Sequence, residues 1–124
     1  MADEQVDPNL DIVIDCVDPL KLSGFWAAAL DYRVAGFQEP YLLLLPIRRA
    51  FPPVILQRVP EPKWGKTRSH FDLRVTDVEP EVRRLEALGA RRIDVGQGED
   101  ADFVPMVDPE GNEFCVCPGA PLDM

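Results

Sequence analysis

The sequence predicts an α+β fold, two tandem βαβββ modules whose curved, barrel-like mixed sheet surrounds a central cup. Three observations predict it. A strand pattern running into a capped helix occurs twice, at an offset of about 59 residues. Each helix is followed by three more strand-like runs punctuated by Pro, Gly and Asp. The first strand of each module alternates apolar residues with ionisable ones, so one face suits a core and the other suits water.

In the first module, Leu10 to Val17 alternates Ile12, Ile14 and Cys16 against Asp11, Val13 and Asp15, the period of a strand. Asp18 offers an N-cap and Pro19 an N1 proline, so a helix is expected to start there. Leu22, Phe25, Trp26 and Ala29 give it an apolar stripe ending near Leu30. Strands are expected near Val34–Gln38, Tyr41–Leu45 and Val54–Val59, and Pro60 to Thr67 links the modules. In the second, Phe71, Leu73 and Val75 oppose His70, Asp72 and Arg74. Asp77 is the expected N-cap, Val78, Val82, Leu85 and Leu88 the stripe, and Gly89 the C′ residue. Strands follow at Arg91–Val95, Asp102–Val107 and Glu113–Cys117. Asp108-Pro109-Glu110-Gly111 carries the Pro and Gly of a type I turn, which makes the last two strands a hairpin. A single domain over 1–124 is expected, with modules at about 9–60 and 68–118.

Composition narrows the function. A net charge of −9 argues against nucleic acid, which needs a basic surface to displace counterions, and against anionic membranes. The segment Met1 to Asn9 lacks the pattern of a secretory signal, and the apolar run Tyr41–Ile47 is too short to span a bilayer. Cys16, Cys115 and Cys117 have no disulfide-scaffold spacing. A cytoplasmic protein is expected, with a small molecule as partner.

His70 is the one histidine, open to roles as base, ligand or structural residue. Asp72 shares its strand face and would orient it or pair with a neighbouring Arg. Lys63, Lys66 and Arg68 form a basic cluster that would receive a ligand's acidic group or neutralise nearby carboxylates. Trp26 sits at core spacing in the first helix, although it is also a candidate ligand platform. Trp64 lies in the polar linker with no apolar stripe to join, which suggests a cavity lid or an interface contact. Cys115 and Cys117 share a strand face and read as buried core thiols, or as a redox-active or metal-binding pair.

Asp18-Pro19, Phe25-Trp26, the run from Lys63 through Lys66, Arg68, His70 and Asp72-Leu73, and Asp108 to Phe114 together resemble glyoxalase-like members of the vicinal oxygen chelate superfamily. The resemblance spans Leu10 to Pro118. It implies a divalent ion in the cup, held from the first and last strands of each module. The matching positions are Asp11, Gln57, His70 and Cys115, of which only His70 is the family's usual residue. Cys115 makes zinc the most compatible ion, and a metal-free cup is the alternative. With metal, the resemblance implies an isomerase, lyase or dioxygenase acting on a small oxygenated metabolite. Here His70 and Asp72 are the catalytic candidates, and Trp26, Trp64, Lys66, Arg68, Arg74 and Phe103 the substrate contacts. Without metal, it implies a protein sequestering a drug or hydrophobic metabolite, as bleomycin-resistance relatives do, or proton transfer with His70 as base. It also implies a homodimer.

Overall fold

The structure, a computed structural model, describes residues 9–48 and 50–119. The Met1–Asn9 segment, apart from Asn9, therefore lies outside the described residues. The chain divides into two compact units, one ending at Val59 and the other beginning at Pro60.

The first unit contains β1 (Ile12–Cys16), α1 (Pro19–Leu30), β2 (Tyr32–Gln38), β3 (Tyr41–Pro46) and β4 (Val54–Arg58). Its sheet has the order β1-β4-β3-β2, with β1 and β4 parallel and the remaining pairs antiparallel. Asp18 caps α1 as expected, its Oδ1 accepting from the Lys21 N–H at 3.1 Å, and Pro19 occupies the first turn. The helix ends at Asp31, a non-glycine residue at φ 60 whose N–H reaches the Ala27 carbonyl. The Asp31 carboxylate pairs with Arg48. Leu22, Phe25, Trp26 and Ala29 are buried, with α1 lying against β2, β3 and β4. Beneath it Ile14, Leu42, Leu44, Val54 and Leu56 complete the core. Burial of each such side chain contributes about 1.5–3 kcal/mol. Alternation places Val13, Asp15, Ile55 and Gln57 on the opposite face.

The second unit repeats the plan as β5 (Phe71–Val75), α2 (Val78–Ala87), β6 (Arg91–Arg92), β7 (Val104–Val107) and β8 (Glu113–Pro118), ordered β5-β8-β7-β6. β5 and β8 are parallel, while β8, β7 and β6 are antiparallel. Val82 and Leu85 of α2 are buried, as are Phe114 and Val116 of β8 and Met106 of β7, and α2 packs on β8. Asp77 stands at the N-cap without a side-chain cap bond, leaving Glu79 and Glu81 to complement the positive helix end. Gly89 follows the helix at φ 116, where an added Cβ would lie 3.2 Å from the Pro109 ring. Side chain and backbone together demand glycine there.

Four boundaries, each by two residues or more, and the sheet closure differ from expectation. β1 starts at Ile12 rather than Leu10, and β2 at Tyr32 rather than Val34. β6 stops at Arg92 instead of continuing to Val95. Beyond it the Asp94 carboxylate accepts from Gly96 N–H at 2.7 Å, and the Gln97 side chain accepts from Val95 N–H at 2.9 Å. These local bonds draw the backbone away from the ladder, and Gly96 and Gly98 take positive φ. β7 begins at Val104 rather than Asp102. The predicted barrel-like sheet is instead two separate four-stranded sheets, neither closed into a barrel.

The predicted turn joins β7 to β8. Gly111 N–H reaches the Asp108 carbonyl at 2.9 Å, and Gly111 has φ 90. The Asp108 side chain is 1% exposed and fully engaged. It accepts from Glu110 N–H at 2.8 Å, Asn112 N–H at 3.0 Å and the Asn112 amide at 2.9 Å. The Asp-Pro-Glu-Gly-Asn run is thus a self-contained knot of hydrogen bonds that fixes where β8 starts.

Candidate functional site

The site grows from the β5–β8 register. Asp72 lies opposite Cys115, and Arg74 opposite Cys117. Paired residues of neighbouring strands share a face, and Phe114 and Val116 occupy the helix side. His70, Asp72, Arg74, Cys115 and Cys117 therefore share the other face, away from α2. On it, ligand atoms of His70, Asp72 and Cys115 converge, all within 4.8 Å of one another. His70 Nε2 lies 3.5 Å from Asp72 Oδ1, and Arg74 lies 3.8 Å from Asp72 Oδ2. Arg74 also donates to the Pro118 carbonyl at 3.3 Å, which holds its guanidinium beside the carboxylate.

The thiols are buried and protonated near neutrality. Burial pushes the Cys115 thiol up, and the Asp72 carboxylate adds to this. Cys117 is pushed up to about 11, first by burial, then by the charge of Asp72. Neither is a reactive thiolate on its own.

Two residues before Cys115 on the same face stands Glu113, whose role sequence reasoning missed. Its side chain is 11% exposed and receives Lys63 Nζ at 2.8 Å and Lys66 Nζ at 3.3 Å. It also receives Thr67 N–H at 2.8 Å and Thr67 Oγ1 at 3.1 Å. Burial alone would raise its pKa, but these donors, Lys63 foremost, bring it down to about 2. The signal was present in the strand alternation, since Glu113 precedes Cys115 by one strand period and the Lys63/Lys66 pair needed an acid.

Beside this carboxylate lies a cavity of about 310 Å³ lined by Lys63, Lys66, Ile93, Asp94, Val95, Val107 and Glu113. His70, Asp72 and Cys115 do not line it; the lining Glu113 stands about 6–7 Å from Cys115 along β8. Lys66 and Glu113 also act electrostatically on the Cys115 thiol. The volume is at the lower end of small-molecule pockets, about 300–1,000 Å³.

Of the remaining predicted residues, Trp26 is 1% exposed, its ring edge-on to Phe25 at 5.0 Å. It is a core residue that presents no face to a ligand. Trp64 is 85% exposed. Lys66 spends its ammonium on Glu113, and Arg68 is exposed at a bend, with no ion pair among the described residues. Phe103 is half-buried just before β7. Asp11 is exposed ahead of β1. Gln57 pairs with Asp15, whereas Ile12, the residue after Asp11, pairs with Val54. Three strand steps, about 10 Å, separate those two levels. Asp11 and Gln57 are thus not brought together within the first unit. The β5–β8 geometry sets Cys115 opposite the residue two beyond His70, and the corresponding partner of Val13 is Ile55, which has no donor atom.

Tandem βαβββ units, each with a four-stranded mixed sheet and one helix, are the architecture of the vicinal oxygen chelate superfamily. The family model of the glyoxalase-like domain matches residues 11–117, and the chain belongs to that family. Among solved structures, the fosfomycin resistance protein FosX of Listeria monocytogenes is similar at TM-score 0.71 and 13% identity, covering 94% of both chains. The antibiotic-binding protein TnmS3 of Streptomyces sp. CB03234 is similar at TM-score 0.62 and 17% identity, covering 95% of this chain and 100% of that one. The bleomycin-binding protein of Streptomyces verticillus has TM-score 0.60 and 15% identity, covering 94% and 100%. At these identities the likeness is one of fold. No curated protein matches the chain. No helix among the described residues is long and apolar enough to cross a membrane.

Proposed function

We propose that this protein is a metal-assisted enzyme acting on a small oxygenated molecule held beside the β5–β8 face. The convergence of His70, Asp72 and Cys115 carries the reading. An imidazole, a carboxylate and a thiol make a donor set suited to zinc, and three protein ligands leave a position open for substrate. A homodimer belongs to the same proposal. A bound zinc ion would supply Lewis acidity toward an oxygen of the substrate. The protein's own contribution is positional. His70 and Asp72 already stand 3.5 Å apart, Arg74 lies 3.8 Å from Asp72, and the buried strand fixes Cys115. The raised thiol pKa of Cys115 means that zinc uptake must displace its proton, so affinity rises with pH.

Calorimetric titration of metal-free protein with zinc tests this. One equivalent is expected to bind, with release of a proton, and His70→Ala and Cys115→Ala are each expected to weaken binding at least tenfold. Unchanged zinc affinity in both variants would refute the assignment.

A second reading, a metal-free binding protein that sequesters a small molecule, is favoured by one observation. Asp72 already faces Arg74 and His70, so the face is electrostatically satisfied as it stands. The fosfomycin, antibiotic and bleomycin proteins of like fold make both readings reasonable. Absence of zinc binding by the wild type would select the second.

A further inference from the structure

The three candidate zinc ligands are not held alike. Asp72 and Cys115 lie inside the β5–β8 ladder, opposite one another. His70 stands one residue ahead of β5, whose first ladder pair is Phe71 with Phe114. Its one polar partner among the described residues is Asp72, and its ring is exposed. A residue at a strand end that is held on one side alone frays. The other side of His70 is held from β8. Thr67, three residues earlier, gives Glu113 Oε2 both its N–H, at 2.8 Å, and its hydroxyl, at 3.1 Å. The same oxygen receives Lys63 Nζ at 2.8 Å, and Lys66 Nζ reaches Oε1 at 3.3 Å, so the carboxylate is itself fixed. Glu113 in turn stands in β8 immediately before Phe114. The span Arg68-Ser69-His70 is therefore tied to one strand at both ends, through Thr67 on Glu113 and Phe71 on Phe114. Three residues reach about 10 Å at most, which leaves the span little freedom to carry the imidazole off the face.

We infer that Glu113 is a positioning residue for His70: by clasping Thr67 to β8, it holds the imidazole on the face where Asp72 and Cys115 stand. Glu113 is outside the donor set itself, and both its oxygens are engaged by Lys63, Lys66 and Thr67. A preformed place for the imidazole spares zinc binding the ordering of that ring. This consequence rests on the zinc reading, whereas the hold on the ring does not.

The test uses the full chain without a tag, whose single histidine gives one set of imidazole signals. Ring mobility is read from carbon relaxation of the His70 Cε1–H group in metal-free protein, and zinc affinity by calorimetry at the same pH. Glu113→Ala removes the clasp and is expected to raise the ring's mobility and to weaken zinc binding about tenfold. Thr67→Val keeps the carboxylate charge, removes one of the two Thr67 bonds, and is expected to loosen the ring and weaken zinc about threefold. Thr67→Ser keeps the hydroxyl and is expected to match wild type in both. A carboxylate that only stabilised the fold would lower urea stability in these variants and leave the ring's mobility unchanged. Wild-type mobility in folded Glu113→Ala and Thr67→Val overturns the inference, and Thr67→Val decides alone if Glu113→Ala does not fold. A loosened ring with unchanged zinc affinity overturns the consequence for zinc. Absence of zinc binding by wild type overturns the zinc reading alone, and the ring mobilities still decide the role of Glu113.

Discussion

Glu113→Gln gives the sharpest stability test, since one carboxylate gathers four hydrogen bonds. Its pKa falls from the ordinary 4.5 to about 2. At about 1.4 kcal/mol per unit this corresponds to about 3 kcal/mol. Lys66 is two-thirds exposed, and water at that rim screens part of the pairing, leaving about 2 kcal/mol. The sign follows from the direction of the shift. A carboxyl whose folded pKa lies below its unfolded value stabilises the fold above about pH 4.5. That stabilisation fades as the pH falls through 4.5 toward 2. Urea unfolding of wild type and Glu113→Gln at pH 7 is expected to differ by about 2 kcal/mol at unchanged slope. At pH 3 the gap is expected to shrink to less than half. Equal stabilities at pH 7, or a gap that does not narrow on acidification, would refute the reasoning.

Three further outcomes follow from the described contacts. Asp108→Ala would leave two half-buried N–H groups and the Asn112 amide without their acceptor. It is expected to lose about 3 kcal/mol in thermal unfolding, while a loss under about 1 kcal/mol would show the turn to be self-sufficient. Gly89→Ala combines a positive φ with a 3.2 Å approach to Pro109 and is expected to lower stability by about 2 kcal/mol by chemical denaturation. Asp18→Ala removes the α1 cap and should lose about 1 kcal/mol, with wild-type-like stability counting against the cap bond.

Much of the fold was legible because its signals are local. Asp18-Pro19 announces α1, the Leu22–Ala29 stripe sets its buried face, and Asp108 to Gly111 encodes a turn. The offset of 59 also held, taking Ile12 to Phe71 and Pro19 to Val78. What escaped were features set by pairing across the chain. The resemblance matched Asp11 and Gln57 to ligand positions on the first and last strands of the first module, and register sets Gln57 beside Asp15. β6 looked longer because Ile93 and Val95 alternate, while the Asp94 and Gln97 side chains capture the backbone first. Glu113 was hidden behind the turn motif, and Lys63 and Lys66, which read equally well as ligand contacts, turned out to share it.

In each unit the strand that comes last in sequence occupies an interior position. β4 lies between β1 and β3, and β8 between β5 and β7. During synthesis β5 and the β6–β7 pair therefore have no common neighbour until the segment through Pro118 has emerged. Their exposed edges persist for that interval, as sites for mispairing with another nascent chain. The first unit escapes this overlap, since its own closing strand ends at Arg58 before β5 begins. Sequential closure lets two nearly identical plans fold in one polypeptide with little chance of exchanging strands.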